Sequence, residues 1–285
     1  MHLNVVNSYI EITKPRVTLL LAFMGFCSAV GAYHSIGGAF PLSDILLITL
    51  GILLGSGGAN GLTNYLDRDL DLRMERTKHR SLPTQRINPH YLGLLWSSSL
   101  VVIGLSIALS FNYYAMLAGI AGTLCSVIFR KTELTHFLGG ASSASPVIIG
   151  WIAIDPNMSS TLALVGLFVM LWVIHHVWAI MLFYQSDYLQ AGVQIFPLRS
   201  TRKTVMPVFW VIAITLIVLT IAITINLSAI SLVLGVLLSL YNFWGTFQLN
   251  NPSITNSIQR KRFKTASYSL LIGLFSILAF LPILY

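Results

Sequence analysis

Residues 44–71 read DILLITLGILLGSGGANGLTNYLDRDLD. The first nineteen carry one charge, Asp44, and approach the roughly 20 apolar residues that cross a bilayer as a helix. Three carboxylates, Asp67, Asp69 and Asp71, then follow without a break. An apolar span that runs straight into an acidic knot predicts a membrane helix with chemistry at its end. Glycines at 51, 55, 57, 58 and 61 let neighbouring helices approach closely and make this span a packed cavity wall.

The whole chain agrees with that reading. Of its 285 residues 55% are hydrophobic and 9% charged, with mean hydropathy +0.78. Soluble domains carry about 25% charged residues, so a water-soluble globule is excluded. Apolar runs at 17–33, 44–62, 91–109, 113–129, 137–154, 161–183, 205–225, 227–249 and 266–284 predict nine transmembrane helices in one all-α domain, 1–285. The first run is too long for a cleaved signal core and is expected to be retained. Cys27 and Cys125 lie in apolar runs and build neither a disulfide framework nor a thiolate metal site.

Nine spans put alternate loops on opposite faces. All 17 lysines and arginines then fall on one face: Lys14 and Arg16, six between 68 and 86, Arg130 and Lys131, three between 199 and 203, and four between 260 and 264. The positive-inside bias places this face and the N-terminus in the cytoplasm, with Tyr285 opposite. Seven of the nine acids share it, leaving only Asp44 and Asp155 across the membrane. Excess positive charge around a local acidic knot suits a metal-bound anionic substrate.

On a helix, Asp67 and Asp71 stand one turn apart on one face, with Asn64 beside them and Asp69 turned elsewhere. Stacked carboxylates repel unless a cation lies between them, and hard oxygens of this kind suit Mg²⁺, which takes one or two carboxylates plus substrate phosphates. A second acidic helix end comes at Phe183 to Tyr188, where Asp187 falls on the same face. An acid bordering a membrane span is costly and points to function, although a lone loop aspartate is more often a helix cap or solvated. His175-His176 is the one histidine pair within a span.

These segments resemble the UbiA family of intramembrane prenyltransferases, over roughly residues 10–200. Thr13 to Val17 resembles an opening signature. Asn64 to Asp71, with Met74 to Thr77 and Arg80, resembles the first aspartate motif. Phe129 to Thr132, Gly139-Gly140 and Pro146 to Trp151 resemble the central block, and His176 to Trp178 with Asp187 to Pro197 the second motif. Thr63 stands where the wider family favours Asn, and Gln185 and Ser186 stand where many relatives carry charge.

The resemblance implies a nine-helix bundle around a central cavity open near the cytoplasmic face of the inner membrane. It implies farnesyl transfer from farnesyl diphosphate to a vinyl group of haem B, with Mg²⁺ held by Asp67, Asp71 and Asp187. Asn64, Arg76, Lys78, Arg80, Arg130, Lys131 and Tyr188 would bind substrate, and His176 would touch the porphyrin. The lipid bilayer and a downstream haem-modifying enzyme are the expected partners, and no nucleic acid. Two alternatives stay open at this point: an aromatic acceptor of quinone biosynthesis, and a transporter. The latter would need polar groups at mid-membrane, whereas the acids here gather at one face.

Overall fold

The computed structural model describes residues 2–37, 41–128, 132–251, 253 and 255–281, with side chains from Val5 onward. They form eleven helices and, among the described residues, no strand: α1 (His2–Ile12), α2 (Pro15–Ile36), α3 (Leu42–Asp71), α4 (Tyr91–Phe111), α5 (Tyr113–Val127), α6 (Thr135–Ile154), α7 (Ser160–Phe183), α8 (Gln185–Gln190), α9 (Arg202–Thr224), α10 (Ala229–Gln248) and α11 (Asn256–Phe280). Eight of these are long and apolar enough to cross a membrane, and α5 is a shorter apolar helix. The expected all-α, multi-span architecture holds, with α5 as the one span of reduced length.

Large apolar side chains on the outer surface, such as Leu19, Val102, Val211 and Leu237, are exposed, while Phe168, Phe209, Phe263 and Phe275 are fully buried. Lipid tails are as apolar as leucine, so the helices associate by close packing rather than by escaping water. That explains the small residues. An added Cβ on Gly58 would meet the Ser97 carbonyl oxygen at 2.5 Å and the Val101 nitrogen at 2.7 Å, and one on Gly104 would meet the Gly51 carbonyl oxygen at 2.7 Å. Backbones of α3 and α4 therefore touch. Gly150 of α6 lies directly on the backbone of Gly25 in α2, and the Ser28 hydroxyl donates across the same crossing to the Val147 carbonyl, at 2.7 Å. Helix α11 packs on α2, α7 and α10 and closes the bundle.

Two helix boundaries differ from the sequence reading, and both differences carry charge. Helix α3 runs on past the apolar run ending at 62, and the acidic motif forms its last two turns. Helix α11 begins ten residues before the apolar run at 266, because Gln259 to Arg262 and Lys264 are good helix formers and Phe263 buries its ring in the core. Arg260, Arg262 and Lys264 are consequently fixed on a helix. Contacts at that end tie several elements together: Arg262 donates to Gln248 Oε1 at 3.0 Å, Arg199 pairs with Glu133 at 3.0 Å, and Arg86 pairs with Glu11 at 2.7 Å. Helix α1 and the 72–90 segment cap the same end through a small cluster of Ile12, Leu82 and Ile87.

The α2–α6 crossing gives a direct stability test. A methyl at Gly150 forces two backbones apart, so Gly150→Ala should cost about 1–3 kcal/mol and lower the unfolding temperature of the detergent-solubilised protein. Gly166→Ala on α7, where an added Cβ meets nothing within 4 Å, should leave it unchanged or slightly raised. Equal unfolding temperatures for the two variants would contradict this packing.

Candidate active site

The first half of the site is built on the end of α3. Asn64 is buried and donates through Nδ2 to the Ile12 carbonyl at 2.6 Å, which docks α1 on the motif. Its Oδ1 accepts from Arg80 Nη1 at 3.4 Å. The same nitrogen meets Asp71 Oδ2 at 2.8 Å, and the Asp71 side chain is 7% exposed. A carboxylate this buried must have a partner, since stranding it costs several kcal/mol. Lys14, whose backbone is left-handed at φ 52°, reaches Thr63 Oγ1 at 3.1 Å and lines a small polar cavity with Glu11, Asn64, Asp71, Arg80 and Ser81. Asp69 points away, as its position on the helix requires, and makes only a surface pair with Arg68 at 3.7 Å.

Asp187 anchors the second half. It stands in the first turn of α8, just past the end of α7. Its Oδ1 accepts the backbone N–H of Glu75 at 2.7 Å and its Oδ2 that of Arg76 at 3.2 Å. Arg76 is thereby laid across two tyrosines, its guanidinium 5.1 Å from the Tyr184 ring centre and 5.7 Å from that of Tyr188, with Nη2 donating to Tyr188 Oη at 3.2 Å. Its Nε–H is buried without an acceptor. Arg260 of α11 donates to Tyr184 Oη at 2.5 Å. Burial pushes the Tyr188 phenol above its ordinary range, opposed by Arg76 and Arg80 and aided by Asp71 and Asp67. Tyr188 therefore keeps its proton at neutral pH and lies within electrostatic reach of both halves.

Between them opens a cavity of about 780 Å³, counting its mouth. Asp67 and Tyr188 line it together with His136 and the apolar faces of Val173, Val177, Met181 and Ile195. A second cavity of about 730 Å³ lies among α2–α6, walled by glycines and small hydroxyl residues such as Ser56, Thr63 and Ser142.

The structure thus brings Asn64, Asp71 and Arg80 into one cluster and Asp187, Arg76 and Tyr188 into another, with Asp67 on the cavity between them. Other expected residues fall elsewhere. Lys78 is exposed and paired with Glu75 at 2.7 Å. His176 Nδ1 meets the Ser267 hydroxyl at 3.0 Å, its ring stacked on Trp172, and it does not line the cavity. Arg130 and Lys131 lie outside the described residues. Among the described residues no three acid, histidine or cysteine side chains converge as a metal cage. Asp67 and Asp71 nonetheless offer hard carboxylate oxygens one helical turn apart, a donor set that suits Mg²⁺ with phosphate oxygens completing its shell. The orphan N–H of Arg76 fits the anionic part of such a ligand.

Sequence reading missed His136 and Arg260 as site residues. His136 stood at the edge of an apolar run, and only the path of the 191–197 segment turns it into the cavity. Arg260 was read as loop charge, and the early start of α11 is what carries it to Tyr184.

Comparison with known proteins matches this geometry. The UbiA prenyltransferase family profile matches residues 23–281. A protoheme IX farnesyltransferase of Symbiobacterium thermophilum is 33% identical over 207 residues, 70% of this chain and 68% of that protein. One of Trichodesmium erythraeum is 28% identical over 284 residues, 95% of this chain and 84% of that protein. A UbiA homolog from Archaeoglobus fulgidus, solved bound to GPP and Mg²⁺, shares the fold with a TM-score of 0.71 at 14% identity, over 95% of this chain and 99% of that chain. This chain belongs to the UbiA prenyltransferase family and is a multi-pass membrane prenyltransferase.

Proposed function

We propose that the protein transfers a farnesyl group from farnesyl diphosphate to a vinyl group of haem B, giving haem O, at the cytoplasmic face of the inner membrane. The observation that carries the reading is Asp67 and Tyr188 standing together on one largely apolar cavity, with Arg76 Nη2 donating to Tyr188 Oη at 3.2 Å. The similarity to protoheme IX farnesyltransferases supports haem as acceptor. The basic end of the bundle supports the orientation.

The chemistry follows from the groups present. Breaking the allylic C–O bond sends its electron pair to diphosphate, and negative charge grows on the leaving oxygens. Arg76 is fixed by Tyr188 and by the Asp187 clamp, so its guanidinium meets that charge without reorganising. Arg80 and Lys14 supply further cations at the Asp71 side. Asp67 and Asp71 would hold Mg²⁺, with Asp187 as the third expected carboxylate, and the ion would neutralise charge on the diphosphate when bound. Tyr188 keeps its proton and donates a hydrogen bond. The apolar wall holds the prenyl chain and keeps water from the farnesyl cation, which the vinyl π electrons attack to form the new C–C bond. The resulting carbocation on the acceptor takes a hydroxyl from water, and one proton is released.

Purified protein given haem B and farnesyl diphosphate should form haem O, read by mass spectrometry of extracted haems, and should leave 4-hydroxybenzoate unprenylated. Chelation should stop the reaction and Mg²⁺ restore it. Asp67→Ala and Asp71→Ala should each lower turnover by roughly 100-fold or more. Full turnover in both variants overturns the metal assignment, and prenylated 4-hydroxybenzoate without haem O overturns the acceptor.

Asp187 gives a graded test. Each charge-assisted bond to its carboxylate is worth roughly 1.5–3 kcal/mol, so Asp187→Asn, which keeps one acceptor oxygen, should retain more activity than Asp187→Ala. Protease cleavage within residues 72–90 should rise in the same order. Unchanged cleavage in Asp187→Ala would show that the clamp does not hold this segment.

A further inference from the structure

Across the charged end of the bundle, basic side chains pair with acids: Arg68 with Asp69, Lys78 with Glu75, Arg80 with Asp71, Arg86 with Glu11 and Arg199 with Glu133. Three cations that stand together do not. Arg76, Arg260 and Lys264 have no carboxylate partner among the described residues. The guanidiniums of Arg76 and Arg260 both lie over the Tyr184 ring, 5.1 and 5.4 Å from its centre, and Arg260 donates to its hydroxyl. Lys264, one helical turn after Arg260 on the same face of α11, is within electrostatic reach of both. The acids beside Arg76 in sequence and in space are engaged elsewhere: Glu75 pairs with Lys78, and each oxygen of Asp187 accepts a backbone N–H.

Like charges gathered in a half-buried place repel one another. The bias of basic residues toward one membrane face fixes which side they take and does not require them to converge. Lys261, between them on the same helix, is exposed, whereas Arg260 and Lys264 are half-buried. Their donors are largely unused. Arg260 gives one guanidinium N–H to Tyr184 and Lys264 none to any described residue, and the remaining N–H groups of both keep accessible surface. No carboxylate is free here to share a metal with an incoming anion, unlike at Asp67 and Asp71. The pair therefore suits singly charged anions that arrive without a metal, carboxylates rather than a diphosphate. One turn further along the same face, inside the apolar run, Tyr268 packs against the rings of His176 and Trp172, at 4.7 and 5.8 Å. A cationic rim above an aromatic wall matches a flat apolar molecule that carries its acids on one edge.

We propose that Arg260 and Lys264 bind the propionate carboxylates of the porphyrin acceptor and so set which edge of it meets the donor. This rests on haem being the acceptor. Haem B carries its paired carboxylates on one edge and its vinyl groups on rings away from that edge. The paired carboxylates match the paired cations of α11, which leaves Arg76 to the diphosphate. Held by its acidic edge at α11, the acceptor turns its vinyl edge toward Tyr188 and Asp67. Arg76 joins the two places: it lies over Tyr184 on the α11 side and donates to Tyr188, which stands on the cavity with Asp67. Arg260 and Lys264 thus determine acceptor specificity, and binding of the prenyl donor does not depend on them.

The test offers the detergent-solubilised full-length protein haem B and its dimethyl ester, which keeps the ring, the iron and the vinyl groups and loses the negative charges. Wild type should show a KM for the ester about tenfold or more above that for haem B, because charge-assisted bonds are lost. Lys264→Gln and Arg260→Gln should each raise the KM for haem B by about tenfold and leave that for the ester unchanged, closing the gap. The KM for farnesyl diphosphate should not move, and Lys264→Arg should restore the wild-type preference. Haem binding followed by quenching of tryptophan fluorescence should give the same order without turnover. Lys264→Gln gives up no bond to a described residue, so it carries the test even if Arg260→Gln unfolds on losing Tyr184. Equal use of haem B and ester by wild type overturns the proposal, as does an undiminished preference for haem B in Lys264→Gln. A raised KM for farnesyl diphosphate with haem unaffected would assign these cations to the donor and overturn it too. A wild-type protein that binds no haem and makes no haem O would instead overturn the acceptor reading on which the assignment rests.

Discussion

Two backbone N–H groups, of Glu75 and Arg76, end on the single carboxylate of Asp187, and the rest of the site is arranged around that contact. It is a bond between distant parts of the chain: the segment after α3 on one side and the corner between α7 and α8 on the other. Bonds to a charged acceptor are about twice as strong as neutral ones. They fix the backbone of Arg76. With the Arg76 nitrogen pinned, its guanidinium has little choice but to lie on Tyr184 and Tyr188. The Arg80–Asp71 pair then closes the same segment from its far end.

The bundle interior is held by close backbone crossings, with buried interhelical bonds such as Ser28 to the Val147 carbonyl beside them. Close crossings at Gly25–Gly150 and along Gly51, Gly55, Gly58 and Gly104 bring backbones into contact. That frees the helix ends to carry charge. Helix α1 completes the arrangement from outside the spans, placing the Ile12 carbonyl on Asn64 and Ile12 itself in the cluster under Leu82 and Ile87. A polar motif and a small apolar cluster are thus assembled by the same short helix.

Much of this was legible in the sequence, for definite reasons. Apolar run lengths are dictated by bilayer thickness, so the spans could be read directly, and the i, i+4 spacing of Asp67 and Asp71 follows from helix geometry. That Asp69 turns outward followed from the same periodicity. What could not be read was how long-range contacts partition the charged residues. The three aspartates were expected around one point, whereas the structure gives Asp71 to Arg80, Asp187 to two backbone N–H groups, and Asp67 to the cavity. No local pattern encodes a side-chain-to-backbone bond across 112 residues. His136 and His176 show the same limit. Both are histidines in or beside apolar spans, and only the helix packing decides that one meets the cavity and the other Ser267.

The position of the acids carries one more physical consequence. Asp67, Asp69 and Asp71 occupy the last turns of α3, where the helix dipole presents its negative end. Carboxylates are disfavoured there, and a sequence selected only for a stable helix would place lysine or arginine instead. The cost is partly offset by Arg68 within the helix and by Arg80 folding back onto Asp71. The helix end therefore concentrates negative potential from two sources, side chains and backbone, on one small region beside the cavity. In the proposed function such a region favours a small divalent cation more than the carboxylates alone would, with the arginines around it placed for the accompanying anion. The unfavourable placement of charge on α3 is thus the electrostatic basis of the affinity proposed for a cation–diphosphate pair.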